Sequence, residues 1–326
     1  MITRTSTRLA SVSAVALAVL CPASGEGDDA VDASVFDYDA EAPLNIVEGE
    51  ALDLPIAHGY DIRPITYDSP GGEVTGYIAY PPEGPSEVGI IAMHGMPETA
   101  AQMIEVPLTF MACFGATAIA IDAPYVRAGR GYEALTFTDT DRDEVIQVVV
   151  DLRRAVDVLE SKGVERMTYD GNSWSADIGA VLAGVEPRID AFAVMVGGLH
   201  IDRFVRNDNH IDVLAMQPDD VADEWLDVMA TVSAVEFVGG ATAPIVFRNN
   251  RNDMLVLPES AERLQAAAGP EFEIEWYDDS PDPAGHDSSL QMVVDHLHWQ
   301  TDLLGLDRER VDECLAPLIE FAPEGS

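Results

Sequence analysis

The chain has 326 residues, 47% hydrophobic and 23% charged, a composition that excludes a wholly disordered protein. Its 58 acidic residues against 18 basic ones give a formal net charge of -40, and lysine occurs once, at Lys162. Such a surface repels phosphate, which excludes nucleic acid as a partner and disfavours anionic lipid; it suits either a high-salt habitat or an ordinary acidic secreted protein.

Arg4 and Arg8 precede a 12-residue apolar run from Leu9 to Leu20, followed by the small residues Ala23, Ser24 and Gly25. This is the three-part pattern of a signal peptide over residues 1–25. The run is too short to span a bilayer, so no membrane-spanning segment is expected in the mature chain. The expected location is secreted or periplasmic, with lipidation at Cys21 as the competing reading. Residues 26–45 are acidic and without apolar periodicity and read as a disordered tether; residues 46–326 read as one domain.

Asp61 to Tyr67 and Glu73 to Tyr80 alternate as strands around Ser69-Pro70-Gly71-Gly72, a hairpin signal. Val88 to Met93 predicts a buried strand that ends at His94-Gly95, Glu98 to Phe114 a helix broken by Gly115, and Thr117 to Ile121 another buried strand. Thr138 to Ser161 is the strongest helix: Thr138 or Thr140 can cap it, acids fill its first turn, and Val145, Val148, Val149, Leu152, Val156 and Leu159 share one face. Arg166 to Tyr169 predicts a strand, Ser173 to Ala183 a helix and Ala191 to Val196 a strand. The alternation then breaks over residues 198–238, which read as a small cap with a helix near Asp219 to Val232. Pro244 to Arg248, Pro258 to Ala268 and Glu271 to Tyr277 resume it as strand, helix and strand, and the chain is helical from His286 onward. The sum is an α/β class with a mostly parallel sheet of about eight strands, helices on both faces and a cap inserted after the sixth strand.

After export two cysteines remain, Cys113 and Cys314, which either pair or stay as buried thiols. Nothing has zinc-ligand spacing.

The chemistry falls at strand ends. Gly171-Asn172-Ser173-Trp174-Ser175 joins a strand to a helix, the setting in which a sharp turn pushes a serine Oγ out at the top of a sheet. Ser173 is the candidate nucleophile, with Ser175 as runner-up and a simple helix-capping serine as the bland reading. Asp253 follows the next-to-last strand and is the candidate acid. His286, on the Gly-containing loop after the last strand, is the candidate base. His200, His210, His296 and His298 read as cap or surface residues. The chain order Ser173, Asp253, His286 is nucleophile, acid, base. His94-Gly95-Met96-Pro97 ends the third strand, so the backbone N–H groups of Met96 and Trp174 are the candidate oxyanion donors, with the His94 side chain structural.

Together with Gly76-Tyr77-Ile78-Ala79-Tyr80-Pro81, Ile121-Asp122-Ala123-Pro124 and the Gly179-to-Ile189 run, these motifs resemble the bacterial α/β-hydrolases of the dienelactone-hydrolase-like and acetyl-esterase-like group. The resemblance covers about Tyr60 to Leu306. It implies an α/β-hydrolase fold and hydrolysis of a small-molecule carboxylic ester by Ser173, Asp253 and His286, with no cofactor and no metal. Four features depart from the group: serine in place of the cysteine of dienelactone hydrolases proper, Asn172 where relatives often have histidine, Ser175 where the pattern has glycine, and a longer, more proline-rich stretch from Asp278 to Ala284. The alternatives are a peptidase of the same fold and a catalytically inert binding protein. Oligomeric state and the substrate's acyl and alcohol groups are not legible in the sequence.

Overall fold

The structure, a computed structural model, describes residues 32–54, 60–131, 133–198, 217–269 and 271–321. The signal-peptide segment 1–25, the start of the tether and residues 199–216 of the cap lie outside the described residues.

The described strands form one nine-stranded sheet, in the order β1-β2-β3-β5-β4-β6-β7-β8-β9. Strands β2 (Asp61–Ser69) and β3 (Gly72–Tyr80) are the expected hairpin, closed by Pro70-Gly71 with Ser69 opposite Gly72. Strands β4 (Val88–Met93), β5 (Thr117–Ile121), β6 (Arg166–Asn172), β7 (Ala191–Met195), β8 (Ile245–Asn250) and β9 (Phe272–Tyr277) are parallel to one another. The strand beyond the expected eight is β1, the two-residue Val47–Glu48, paired antiparallel to β2 at the edge.

The parallel strands are uninterrupted apolar runs because both of their faces are covered. On β4, Ile91 and Met93 join one core and Ile90 and Ala92 the other; on β5, Ile119 and Ile121 part in the same way from Ala118 and Ala120. The first core is closed by α3 (Asp139–Ser161) and α4 (Trp174–Val185), the second by α1 (Thr109–Phe114) and the end of α8 (Leu290–Leu304); the short α2 (Pro124–Arg127) follows β5, and α7 (Pro258–Ala267) joins β8 to β9. Every residue of the expected apolar face of α3 is buried, and Thr138 caps the helix by accepting the Thr140 N–H.

The run from Glu98 to Phe114 is not one α-helix. It is a 3-10 turn (Ala100–Met103), a π turn (Ile104–Leu108) and then α1. Pro107 lies inside it and has no N–H to offer the Met103 carbonyl one turn back, so a regular ladder cannot pass; close by, the Thr109 hydroxyl donates to the Ile104 carbonyl at 2.7 Å.

The expectation of a disordered tether over residues 26–45 fails for its described part. Ala33–Phe36 is a 3-10 turn capped by Asp32, and Phe36 is fully buried, 5.3 Å edge-on from the ring of Phe237 on α6 (Ala234–Val238). Tyr38 donates to Asp157 at 3.0 Å, Arg153 donates to the Phe36 carbonyl at 2.7 Å, and Arg154 donates to the Ala42 carbonyl at 2.9 Å. Two aromatic anchors and two guanidinium groups outweigh the acidic composition here.

Of the cap, residues 217–238 are described. The helix α5 (Asp219–Ala230) lies where a helix is expected, and its Trp225 and Met229 enter the main core. Helix α9 (Arg308–Phe321) returns to α1, where Cys113 and Cys314 form a disulfide with Cα atoms 6.1 Å apart. Among the described residues no helix is long and apolar enough to cross a membrane.

Candidate active site

Ser173 sits between β6 and α4 with φ 59° and ψ -125°. For a residue with a Cβ this conformation costs on the order of 1–3 kcal/mol, so the surroundings must impose it. Its N–H is held by the Met195 carbonyl at 2.9 Å and its carbonyl by the Ala176 N–H at 2.9 Å. Gly171 lets the turn close, since a Cβ there would overlap the Ser175 carbonyl. Ser175, where the pattern has glycine, has helical backbone and is fully buried. Its hydroxyl accepts the Asn172 N–H at 2.8 Å and donates to the Met93 carbonyl at 2.8 Å, so it braces the turn and is no rival nucleophile.

The three residues from three separate loops meet. Ser173 Oγ is 2.7 Å from His286 Nε2, and His286 Nδ1 is 2.8 Å from Asp253 Oδ2. The other oxygen of Asp253 accepts the N–H groups of Leu255 and Val256, both at 2.8 Å, so the carboxylate is fixed from behind. A carboxylate has no proton to give, so it takes the Nδ1–H of the ring, and Nε2 faces the serine hydroxyl.

The histidine loop is held at several points. Gly285 has φ +73°, and a Cβ there would overlap the Asn252 carbonyl, so glycine permits the two loops to touch. The Met254 N–H donates to the Ala284 carbonyl at 2.8 Å. Asn250 and Ser280 both donate to the Asp287 carbonyl, and Ser288 donates to Asn172 Oδ1 at 3.1 Å. Asp282 accepts the N–H groups of Ala284 and His286, at 3.0 and 3.1 Å, and these bonds hold its carboxyl below the usual aspartate range. Of these supports the sequence marks only Gly285, the glycine before His286. Asp282 is one acid in a crowd of 58 acidic residues; its only local sign is an acid placed two and four residues before the amides it accepts.

Met96 and Trp174 line the same cavity as Ser173. The Trp174 N–H is the first of α4 and has no intrahelical acceptor. His94 is buried and structural: its Nε2 accepts the Ala123 N–H at 3.2 Å, which leaves Nδ1–H to donate to the Gly95 carbonyl at 2.8 Å. Burial pushes its pKa down. His298 is on the surface against Asp312, but His296 is buried beneath the site, its Nε2 3.0 Å from Asp170 on β6, so the cap-or-surface reading fails for it. Its place on the inner face of α8 decides this, and nothing local in the sequence marks that face. His200 and His210 lie outside the described residues. Among the described residues no group of three His, Cys, Asp or Glu is placed to hold a metal ion.

No protein-family model matches the chain, and no curated protein matches it in sequence. Solved structures match its fold. An acetyl xylan esterase from Paenibacillus sp. R4 aligns with a TM-score of 0.64 at 16% identity, over 83% of this chain and 90% of the other. Acetyl xylan esterase 1 from a Thermoanaerobacterium species gives 0.60 at 11% identity, over 82% and 91%. A dienelactone hydrolase, so described without proof of activity, from Klebsiella pneumoniae gives 0.51 at 18%, over 80% and 98%. At these identities the likeness is one of fold, and with the nine-stranded, mostly parallel sheet it defines the chain as an α/β-hydrolase fold.

Proposed function

We propose that this chain is an exported serine hydrolase that cleaves carboxylic esters through an acyl-enzyme. The observation that carries the reading is the continuous Ser173–His286–Asp253 relay, with links of 2.7 and 2.8 Å. Ser173 attacks the ester carbonyl as His286 Nε2 takes its proton. Asp253 keeps the imidazole in the tautomer that can do this and stabilises the imidazolium that forms. The N–H groups of Met96 and Trp174 receive the oxyanion. His286 then protonates the leaving alkoxide, and water repeats the sequence to release the acid. Ester-cleaving names among the solved structures of this fold agree with the reading. Export is supported by the signal pattern and by the Cys113–Cys314 bond, a type of link that persists in oxidising compartments.

The test is labelling by a fluorophosphonate, mapped by mass spectrometry, on wild type, Ser173→Ala and His286→Ala in low and in molar salt. The expected result is modification at Ser173 that is lost in both variants, with turnover of p-nitrophenyl esters and none of peptide anilides. Folded protein that is not labelled at either salt would overturn the hydrolase reading, and preferential cleavage of the anilides would make it a peptidase.

A further inference from the structure

Beside Ser173 lies a cavity of about 420 Å³, within the range of roughly 300–1,000 Å³ usual for small-molecule sites. Ser173, Met96 and Trp174 stand at its reacting end, and its walls are built from Leu135, Phe137, Ile178, Val181, Trp225 and Met229. The far wall is fixed in place. Trp225 Nε1 donates to the buried Asp141 carboxylate at 2.8 Å, the same carboxylate accepts the Phe137 N–H at 2.9 Å, and the two rings pack 5.4 Å apart.

Charge narrows what can enter. Among the described residues that line the cavity there is no lysine, arginine or histidine, whereas Asp141, Glu144 and Asp177 are there. All three are engaged within the protein: Asp141 as above, Glu144 by Arg130, and Asp177 by the Gly198 N–H at 3.0 Å. Among these residues an anionic group would meet three carboxylates and apolar wall, with the Gln217 amide and the Ser233 hydroxyl but no cation to offset its desolvation.

Chemistry decides which half of an ester it holds. The leaving oxygen must reach His286 Nε2 to be protonated, and His286 is not among the residues that line the cavity. The serine and both oxyanion amides are at its end, so the carbonyl stands at that end, the acyl group points inward and the alcohol leaves on the His286 side. We infer that the cavity is an acyl pocket and that the preferred substrates are esters of uncharged, apolar, medium-chain acids. This rests on the serine-esterase reading above. It departs from the acetyl group in the names of the acetyl xylan esterases that share the fold, since acetyl would leave most of 420 Å³ empty.

The experiment measures kcat/KM for p-nitrophenyl esters from acetate to octanoate, for hexyl acetate against ethyl acetate, and for a hemisuccinate ester, on protein whose labelling at Ser173 has been checked. Each methylene buried should raise kcat/KM about fourfold, and the hemisuccinate should fall well below the neutral ester of equal length. Leu135→Trp, which fills the cavity, should lower the octanoate-to-acetate ratio by about tenfold or more; Met229→Trp on another part of the wall gives the same readout if the first variant does not fold. A ratio within one protein is insensitive to how much of it is active. Labelled protein that prefers acetate over octanoate, or whose chain-length preference lies on the alcohol side, overturns the acyl-pocket assignment and leaves the esterase intact. Protein that neither labels nor turns over any ester removes the reading on which the assignment rests, and the assignment with it.

Discussion

The Ser175 hydroxyl donates to the Met93 carbonyl at 2.8 Å, linking the first turn of α4 to the end of β4 while it accepts the Asn172 N–H one residue before Ser173. The residue that departs from the glycine of the pattern thus holds the strained turn closed. Ser175→Ala removes both bonds and strands a buried N–H and a carbonyl, a loss of about 1–3 kcal/mol. Urea unfolding should show the lower midpoint, and kcat should fall more than KM changes, because the displaced group is Ser173. An unchanged midpoint and an unchanged kcat would mean that the hydroxyl is a bystander.

Asp253→Asn keeps the size of the side chain and reverses one bond. The amide would donate to His286 Nδ1, the ring proton would move to Nε2, and Ser173 would lose its acceptor. A drop of about 10⁴ in kcat is expected from the measured behaviour of the corresponding change in a serine protease. Steady-state kinetics and the rate of fluorophosphonate labelling should fall together, while the melting temperature moves little, because Leu255 and Val256 still find an oxygen at this position.

His94 gives stability a pH dependence. Burial lowers its folded-state pKa, so between that value and the unfolded value of about 6.5 the unfolded chain binds the extra proton. The contribution of the neutral ring is complete above about pH 6.5 and is lost as pH falls through the folded value. Denaturant midpoints collected from pH 8 down to pH 5 should decline, and His94→Gln should start lower and decline less. Parallel slopes for the two proteins would show that other groups govern this window.

Cys113 and Cys314 are 201 residues apart in sequence, so their bond closes most of the chain into one loop. Loss of such a link costs about 2–5 kcal/mol in small secreted domains, and closure of a long loop favours the upper part of that range. Thermal melts with and without a phosphine reductant should differ by several degrees, and the Cys113→Ser, Cys314→Ser double variant should match the reduced protein. A non-reducing peptide map that finds both thiols free would remove the bond and this prediction with it.

The sheet was legible because its parallel strands are unbroken apolar runs separated by helical periodicity. Ser173, Asp253 and His286 could be read because each follows a strand in the right order, and Gly171 and Gly285 mark the tight turns beside two of them. What escaped depends on partners far along the chain. Phe36 and Tyr38 are isolated aromatics in acidic sequence, and their partners Phe237, Arg153 and Asp157 lie more than 100 residues away. Strand β1 has two residues and no period to detect. Pro107 stands in the run to Phe114, but the apolar spacing around it is that of a continuous helix and hides the break. The cavity walls come from the loop before α3, from α4 and from α5, and their convergence has no local signature.

The packing of Phe36 and Tyr38 bears on where this gene can be cut. A cut upstream of Asp32 keeps both rings in the chain. An expression clone begun at Asn45, where the acidic stretch ends on paper, would discard both rings and leave an open socket against Phe237; truncating a buried phenylalanine costs about 3–5 kcal/mol. The N-terminal boundary of any shortened version belongs before Asp32, in sequence that looks dispensable to a composition scan.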